Sequence, residues 1–148
     1  MNPLAATAIP MPDPLVHYWT MWNEPDLGLV RGHLDLAVSE DVLWTDPQHA
    51  HVGRDALEAN VIGLRTAKPA YRFVIASEID AHHDRYRYHW HMMRRHRVLL
   101  RGMDIATVNS AGLICRVDGF FGAAITLQDT NSGVPDRFRF AAADAGGG

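Results

Sequence analysis

Apolar positions recur at helical spacing in the first half of the chain and alternate with polar ones in the second. Leu15, Tyr18, Trp19 and Trp22 share one side of a helix over 14–22, with Asp13 as N-cap and proline at the first helical position. "NEP" breaks it, and Asp26 caps a second helix with Leu27, Leu29 or Val30, Leu34 and Val38 on its inner side. "EDVLWTDP" is a short strand closed by proline. A third helix starts after Gly53, buries Leu57, Val61 and Leu64, and ends before Pro69. The period then changes to two. "YRFVIASEID", "RYRYHWHMM", "RVLLRGMDIATV" and "LICRVDGFFG" read as four strands joined by turns at "AHHD", "RRH" and "NSAG".

Helices followed by antiparallel strands predict an α+β fold, three N-terminal helices covering one face of a curved, mainly antiparallel sheet. Residues 1–12 form an N-terminal extension, 13–122 the domain and 123–148 a C-terminal tail, in which "AAITLQ" offers one further strand.

Composition narrows the function. The chain has 148 residues, 47% hydrophobic and 21% charged with net charge −3, enough for one core with a cavity. Its single cysteine, Cys115, forms no internal disulfide. The start of the chain has no basic residue before its short apolar run, and no stretch approaches the ~20 apolar residues of a membrane span. Together these point to a cytoplasmic protein that does not bind membranes. "HMMRRHRVLLR" is basic, yet the chain is slightly acidic and has no nucleic-acid motif, so no nucleic-acid partner is expected. Neither a Rossmann glycine pattern nor a P-loop is present, and no cofactor is expected.

Nine histidines raise the question of a metal. "HAH" (His49, His51) and "HWH" (His89, His91) each put two imidazoles on one face of an extended segment, but no third ligand is reliably opposite, and no metal is expected. Along "RYRYHWHMM", Arg87, His89, His91 and Met93 share one face and Tyr86, Tyr88, Trp90 and Met92 the other. Either set could line the interior; the larger apolar area favours the aromatic one, while an inward His89 would serve acid–base chemistry.

Asp104 shares a face with Leu100, Gly102, Ala106 and Val108, an apolar setting that favours a neutral carboxyl. Leu99, Met103 and Ile105 then point outward and need cover, which a homodimer through the sheet supplies. Asp46 stands at a strand exit, where it either opens a turn or faces a pocket.

The order of elements, "DVLWTDP" followed by "VGRDAL", and the hairpin "GMDIATVNSAGLICRVDGFFG" resemble the NTF2-like superfamily over roughly residues 13–122. The likeness is greatest to its SnoaL-like branch, which also holds the ketosteroid isomerases. That resemblance implies a cone with an open end. It also implies Asp46 as general base, with Tyr18 and a protonated Asp104 as donors to an enolate oxygen. Trp22, Trp44, Trp90 and Phe121 would line an apolar cavity for a small hydrophobic ligand, with His89 as a further contact. The second helix is longer than in the steroid isomerases, by "RGHLDLAV" or an equivalent insertion. The expected activity is a cofactor-independent isomerase or lyase. The alternatives are a non-catalytic binding or dimerisation module, a histidine-based dehydratase, or an epoxide hydrolase with Arg87 bridging Asp104 and Asp118.

Overall fold

The structure, a computed structural model, describes residues 9–122. The strand expected in "AAITLQ" lies outside the described residues. Helix α1 (Asp13–Trp22) has Pro12 as its N-cap, so Asp13 sits within the first turn, where its charge suits the helix dipole. Leu15, Tyr18, Trp19, Met21 and Trp22 are buried.

The second helix is shorter than expected. Asp26 accepts from the Gly28 N–H and opens a 3₁₀ turn, Leu27–Leu29, before α2 (Val30–Ala37) begins. Leu27 and Leu29 are therefore exposed, and α2 buries Val30, Leu34 and Ala37. Val38, one further helical turn along, already belongs to strand β1 (Val38–Asp46), so the i, i+4, i+8 pattern ran across a helix-to-strand boundary.

A two-residue turn, Pro47 and Gln48, returns the chain as β2 (His49–Val52), paired antiparallel to β1. Gly53, at φ 88°, then turns it into α3 (Arg54–Ala67). The remaining strands are β3 (Tyr71–Ile75), β4 (Asp80–His82), β5 (Arg85–Arg94), β6 (Arg97–Val108) and β7 (Ile114–Phe121). They form one sheet in the order β2-β1-β7-β6-β5-β3, with β4 also on β5; β1 and β7 run parallel and the other pairs antiparallel.

"YRFVIASEID" is two strands, β3 and β4, instead of one. Ile75 pairs with Trp90 and Asp80 with Arg87, so five steps on one side span three on the other. The slack is taken up where Ser77 Oγ accepts the His89 N–H and Ile79 turns into the core.

The helices fill the concave side. Tyr18, Trp19, Trp22, Leu34, Leu57 and Val61 pack against Val42, Trp44, Tyr88, Trp90, Ala106 and Val117. Asn23, just past α1, exchanges two hydrogen bonds with the Phe73 backbone, accepting at 2.7 Å and donating at 2.9 Å, and so serves as a partner for the edge of β3. This contact and the irregularity between Met92 and Met93 curve the sheet around one open-ended cavity.

Candidate active site

Alternation on β1 sends Val42, Trp44 and Asp46 inward and Leu43 outward. On β6 it sends Gly102, Asp104 and Ala106 inward, as the sequence pattern predicts. Tyr18 arrives from α1. These elements enclose a cavity of about 330 Å³ lined by Tyr18, Trp22, Trp44, Asp46, Trp90, Asp104 and Phe121 among others. Seven of the eight residues singled out in the sequence thus meet around one space.

The eighth does not. His89 is exposed on the convex face, because β5 turns Tyr88 and Trp90 inward and its histidines outward. The inward-histidine alternative loses its geometry with it. Arg87, on the same convex face, is bonded to Asp80, while Asp118 is held by Arg116 and Thr45, so among the described residues no arginine bridges Asp104 and Asp118. The pair in "HAH" faces the interior and the pair in "HWH" the exterior.

Asp104 is the most informative group. Its side chain lies 4% exposed, with Oδ1 accepting from Trp90 Nε1 at 2.8 Å and Oδ2 lying 3.2 Å from the Tyr88 hydroxyl. Burial pushes its pKa up to about 7, against the opposing pull of those two donors. The carboxyl therefore keeps a proton it can donate up to about neutrality, where it begins to ionise. Gly102 makes the Trp90 contact: the indole lies where a side chain at 102 would be, since Trp90 and Gly102 are cross-strand partners.

Tyr18 Oη accepts from Trp44 Nε1 at 2.8 Å, which leaves its own proton free among the described residues. Burial and the neighbouring Asp104 hold the phenol well above its ordinary pKa, so it is a donor at any physiological pH. The Tyr18 hydroxyl and the Asp104 carboxyl thus put two donors on the cavity wall.

Asp46, at the end of β1, is 11% exposed and has one carboxylate oxygen engaged: Oδ1 accepts the Gln48 N–H at 2.8 Å and lies 2.9 Å from His49 Nδ1. The residue both opens a turn and lines the pocket. Its negative charge acts on Asp104 and Tyr18, raising the proton affinity of both.

Sequence reasoning missed His49, Tyr88, Trp19 and Phe73. The register of the two hairpins, Asp46 opposite His49 and Tyr88 opposite Asp104, is the signal that finds the first two.

An α+β cone with a donor-rich apolar cavity is a frame for holding a small molecule, and comparison with known proteins gives its family. The model of the SnoaL-like domain matches residues 15–117, and the chain belongs to that family, within the NTF2-like superfamily. No curated protein matches it significantly. Among solved structures, a SnoaL-like protein from Agrobacterium tumefaciens, provisionally named an isomerase, is 28% identical. It covers 74% of this chain and 95% of its own, with a TM-score of 0.70. An NTF2-like protein of unknown function from Exiguobacterium is 19% identical, covering 75% and 99%, at 0.62. A protein from Sinorhizobium meliloti provisionally named a polyketide cyclase is 16% identical, covering 74% and 94%, at 0.58. The last two show the fold alone.

Proposed function

We propose that this protein is a cofactor-independent isomerase or lyase that works through an enolate on a small hydrophobic carbonyl compound. The observation that carries the reading is the buried carboxyl of Asp104, its pKa raised by burial to about 7, opening onto the same cavity as Asp46 and the Tyr18 hydroxyl. A carboxyl in that state stabilises an oxyanion by donating to it, and a second donor beside it strengthens the effect in a site that excludes water.

In this mechanism the substrate's carbonyl oxygen sits between Tyr18 and Asp104. The free oxygen of Asp46 takes a proton from the adjacent carbon, and the electron pair moves onto the carbonyl oxygen. Asp46 then returns the proton to another carbon, or a leaving group departs from the β-carbon. The indole walls of Trp22, Trp44 and Trp90 with Phe121 suit a flat apolar body.

Two further features belong to the reading. The convex face leaves Leu43, Leu99 and Phe120 exposed beside half-buried Met103 and Ile105, an apolar patch we assign to a homodimer through the sheet. No described helix is long and apolar enough to cross a membrane, and we place the protein in the cytoplasm.

Titration with naphthols and substituted phenols tests the site without knowledge of the substrate, because their phenolates mimic an enolate. Binding should shift the phenol towards its ionised form and weaken more than about tenfold in both Tyr18→Phe and Asp104→Ala. Binding indifferent to both substitutions would leave a non-catalytic ligand-binding module.

A further inference from the structure

The turn Asp46-Pro47-Gln48-His49 folds an imidazole back onto the carboxylate that the proposed function uses as its base. The hairpin register sets Asp46 directly opposite His49, and His49 Nδ1 lies 2.9 Å from Asp46 Oδ1. The Gln48 N–H reaches the same oxygen at 2.8 Å. Two donors on Oδ1 fix the carboxylate's rotation, and Oδ2 has no hydrogen-bond partner among the described residues. The imidazole is itself held: its ring centre lies 6.0 Å from the Trp44 ring and 5.4 Å from His51, and it forms part of the cavity wall.

We propose that His49 is a positioning residue for Asp46, its Nδ1–H holding Oδ1 so that the free oxygen faces the substrate. The inference rests on the reading of Asp46 as general base. With a carboxylate at Nδ1, neutral His49 keeps its proton on that nitrogen and presents Nε2 as a lone pair. That N–H and the Gln48 N–H together keep Oδ1 turned to the backbone and Oδ2 turned to the cavity.

Among the described residues, the other titratable groups around the pair are few. Asp104 and Tyr18 face it across the cavity, and His51 lies beside it, stacked on Trp44 with Nε2 unpartnered. Helix α3 packs over β2, but its charged residues are engaged elsewhere: Asp55 and Glu58 with Arg31, Arg54 with the Val38 carbonyl, and Arg65 with backbone carbonyls. Among the described residues, His49 is thus the ionisable group in direct contact with the base.

The probe is 5-nitrobenzisoxazole, a small flat bicycle. A carboxylate base removes its ring C–H proton, the N–O bond breaks, and the electron pair ends on a phenolate oxygen, so the reaction needs no co-reactant. kcat and KM are measured in wild type, Asp46→Asn, His49→Asn and His49→Phe. Asp46→Asn should lose at least about tenfold in kcat. Asparagine at 49 keeps an N–H donor near the position of Nδ1. It should hold kcat within about threefold, whereas His49→Phe, which has no donor, should lose at least about tenfold in kcat with KM little changed.

Full loss in Asp46→Asn with the same kcat in wild type and both His49 variants would overturn the role of His49 and leave the base reading intact. No loss in Asp46→Asn would overturn the base reading itself. A readout independent of turnover is the nitrogen NMR spectrum of neutral His49, in which the proton should sit on Nδ1 in wild type and lose that preference in Asp46→Asn. An unchanged tautomer would dismiss the contact.

Discussion

The indole N–H of Trp90 reaches Oδ1 of Asp104 at 2.8 Å by lying across Gly102, its partner on the neighbouring strand. A Cβ at 102 would overlap Trp90 Cζ2 and Cε2, far inside van der Waals contact with the indole. The glycine two residues before the acid therefore sets how that acid is bonded. It belongs to the site although it has no side chain.

Gly102→Ala is accordingly expected to displace the indole, destabilise the fold by roughly 1–3 kcal/mol and weaken phenol binding. Gly63→Ala provides the contrast, since it lies on an exposed turn of α3 with nothing within 4 Å of the added carbon. That change should stabilise by up to about 1 kcal/mol through helix propensity. Urea denaturation of the two variants, monitored by tryptophan fluorescence, checks both signs.

A second expectation follows from the proton on Asp104. Its pKa is about 7 in the folded chain against 3.8 for the unperturbed group, so the folded state binds the proton more tightly than the unfolded. The contribution is fully present below about pH 4 and declines as pH rises towards and through about 7. The loss over that window is on the order of 4 kcal/mol. Asp104→Asn carries no titrating proton there. The stability of wild type relative to this variant should fall between these pH values, and a constant difference would mean the carboxyl is ionised throughout.

The same hairpin shows how far the sequence could be read. The helices, the later strands and the inward set of β6 follow from apolar spacing, and the element order with "GMDIATVNSAGLICRVDGFFG" was enough to indicate the family. Which face of β5 meets Asp104 was not legible, and the reason is one residue. At the hairpin tip Arg94 pairs with Arg97 and Met93 with Val98, but beyond a bulge Met92 pairs with Leu100. Counted from the turn without that bulge, Asp104 would face Arg87 and share a side with the histidines. The extra residue, Leu99, shifts the register by one and brings Tyr88 and Trp90 to the acid. A bulge has no periodic signature. For the same reason the slack between β3 and β4 and the 3₁₀ turn before α2 went unforeseen.

The convex face offers a third prediction. Phe120 on β7 is 55% exposed and Leu43 on β1 is 40% exposed, on strands paired side by side. If this patch is the dimer interface, Phe120→Glu should put an unpaired charge on each side of it and yield a monomer by light scattering after size exclusion. Phenol binding should persist, because Phe120 points away from the cavity. A wild-type monomer at the concentrations used for binding would reject the interface.

Arg65 supplies the last test, of how the cavity is held open. Its guanidinium is buried at the end of α3 and donates to the carbonyls of Glu24, Tyr71 and Pro69, joining the segment after α1, the end of α3 and the start of β3. These three segments carry Trp22, Leu64 and Phe73 to the cavity wall. Desolvation holds the guanidinium below its ordinary pKa, yet the group remains charged, and three carbonyl acceptors offset that cost. Arg65→Met should strand those carbonyls and cost roughly 2–4 kcal/mol. Arg65→Lys should recover little, because an ammonium cannot span three acceptors as a planar fork does. The discriminating measurement is thermal unfolding alongside phenol affinity. A variant that loses stability and loosens the ligand together supports Arg65 as the tie behind the cavity, and one that melts earlier with unchanged affinity confines its role to the fold.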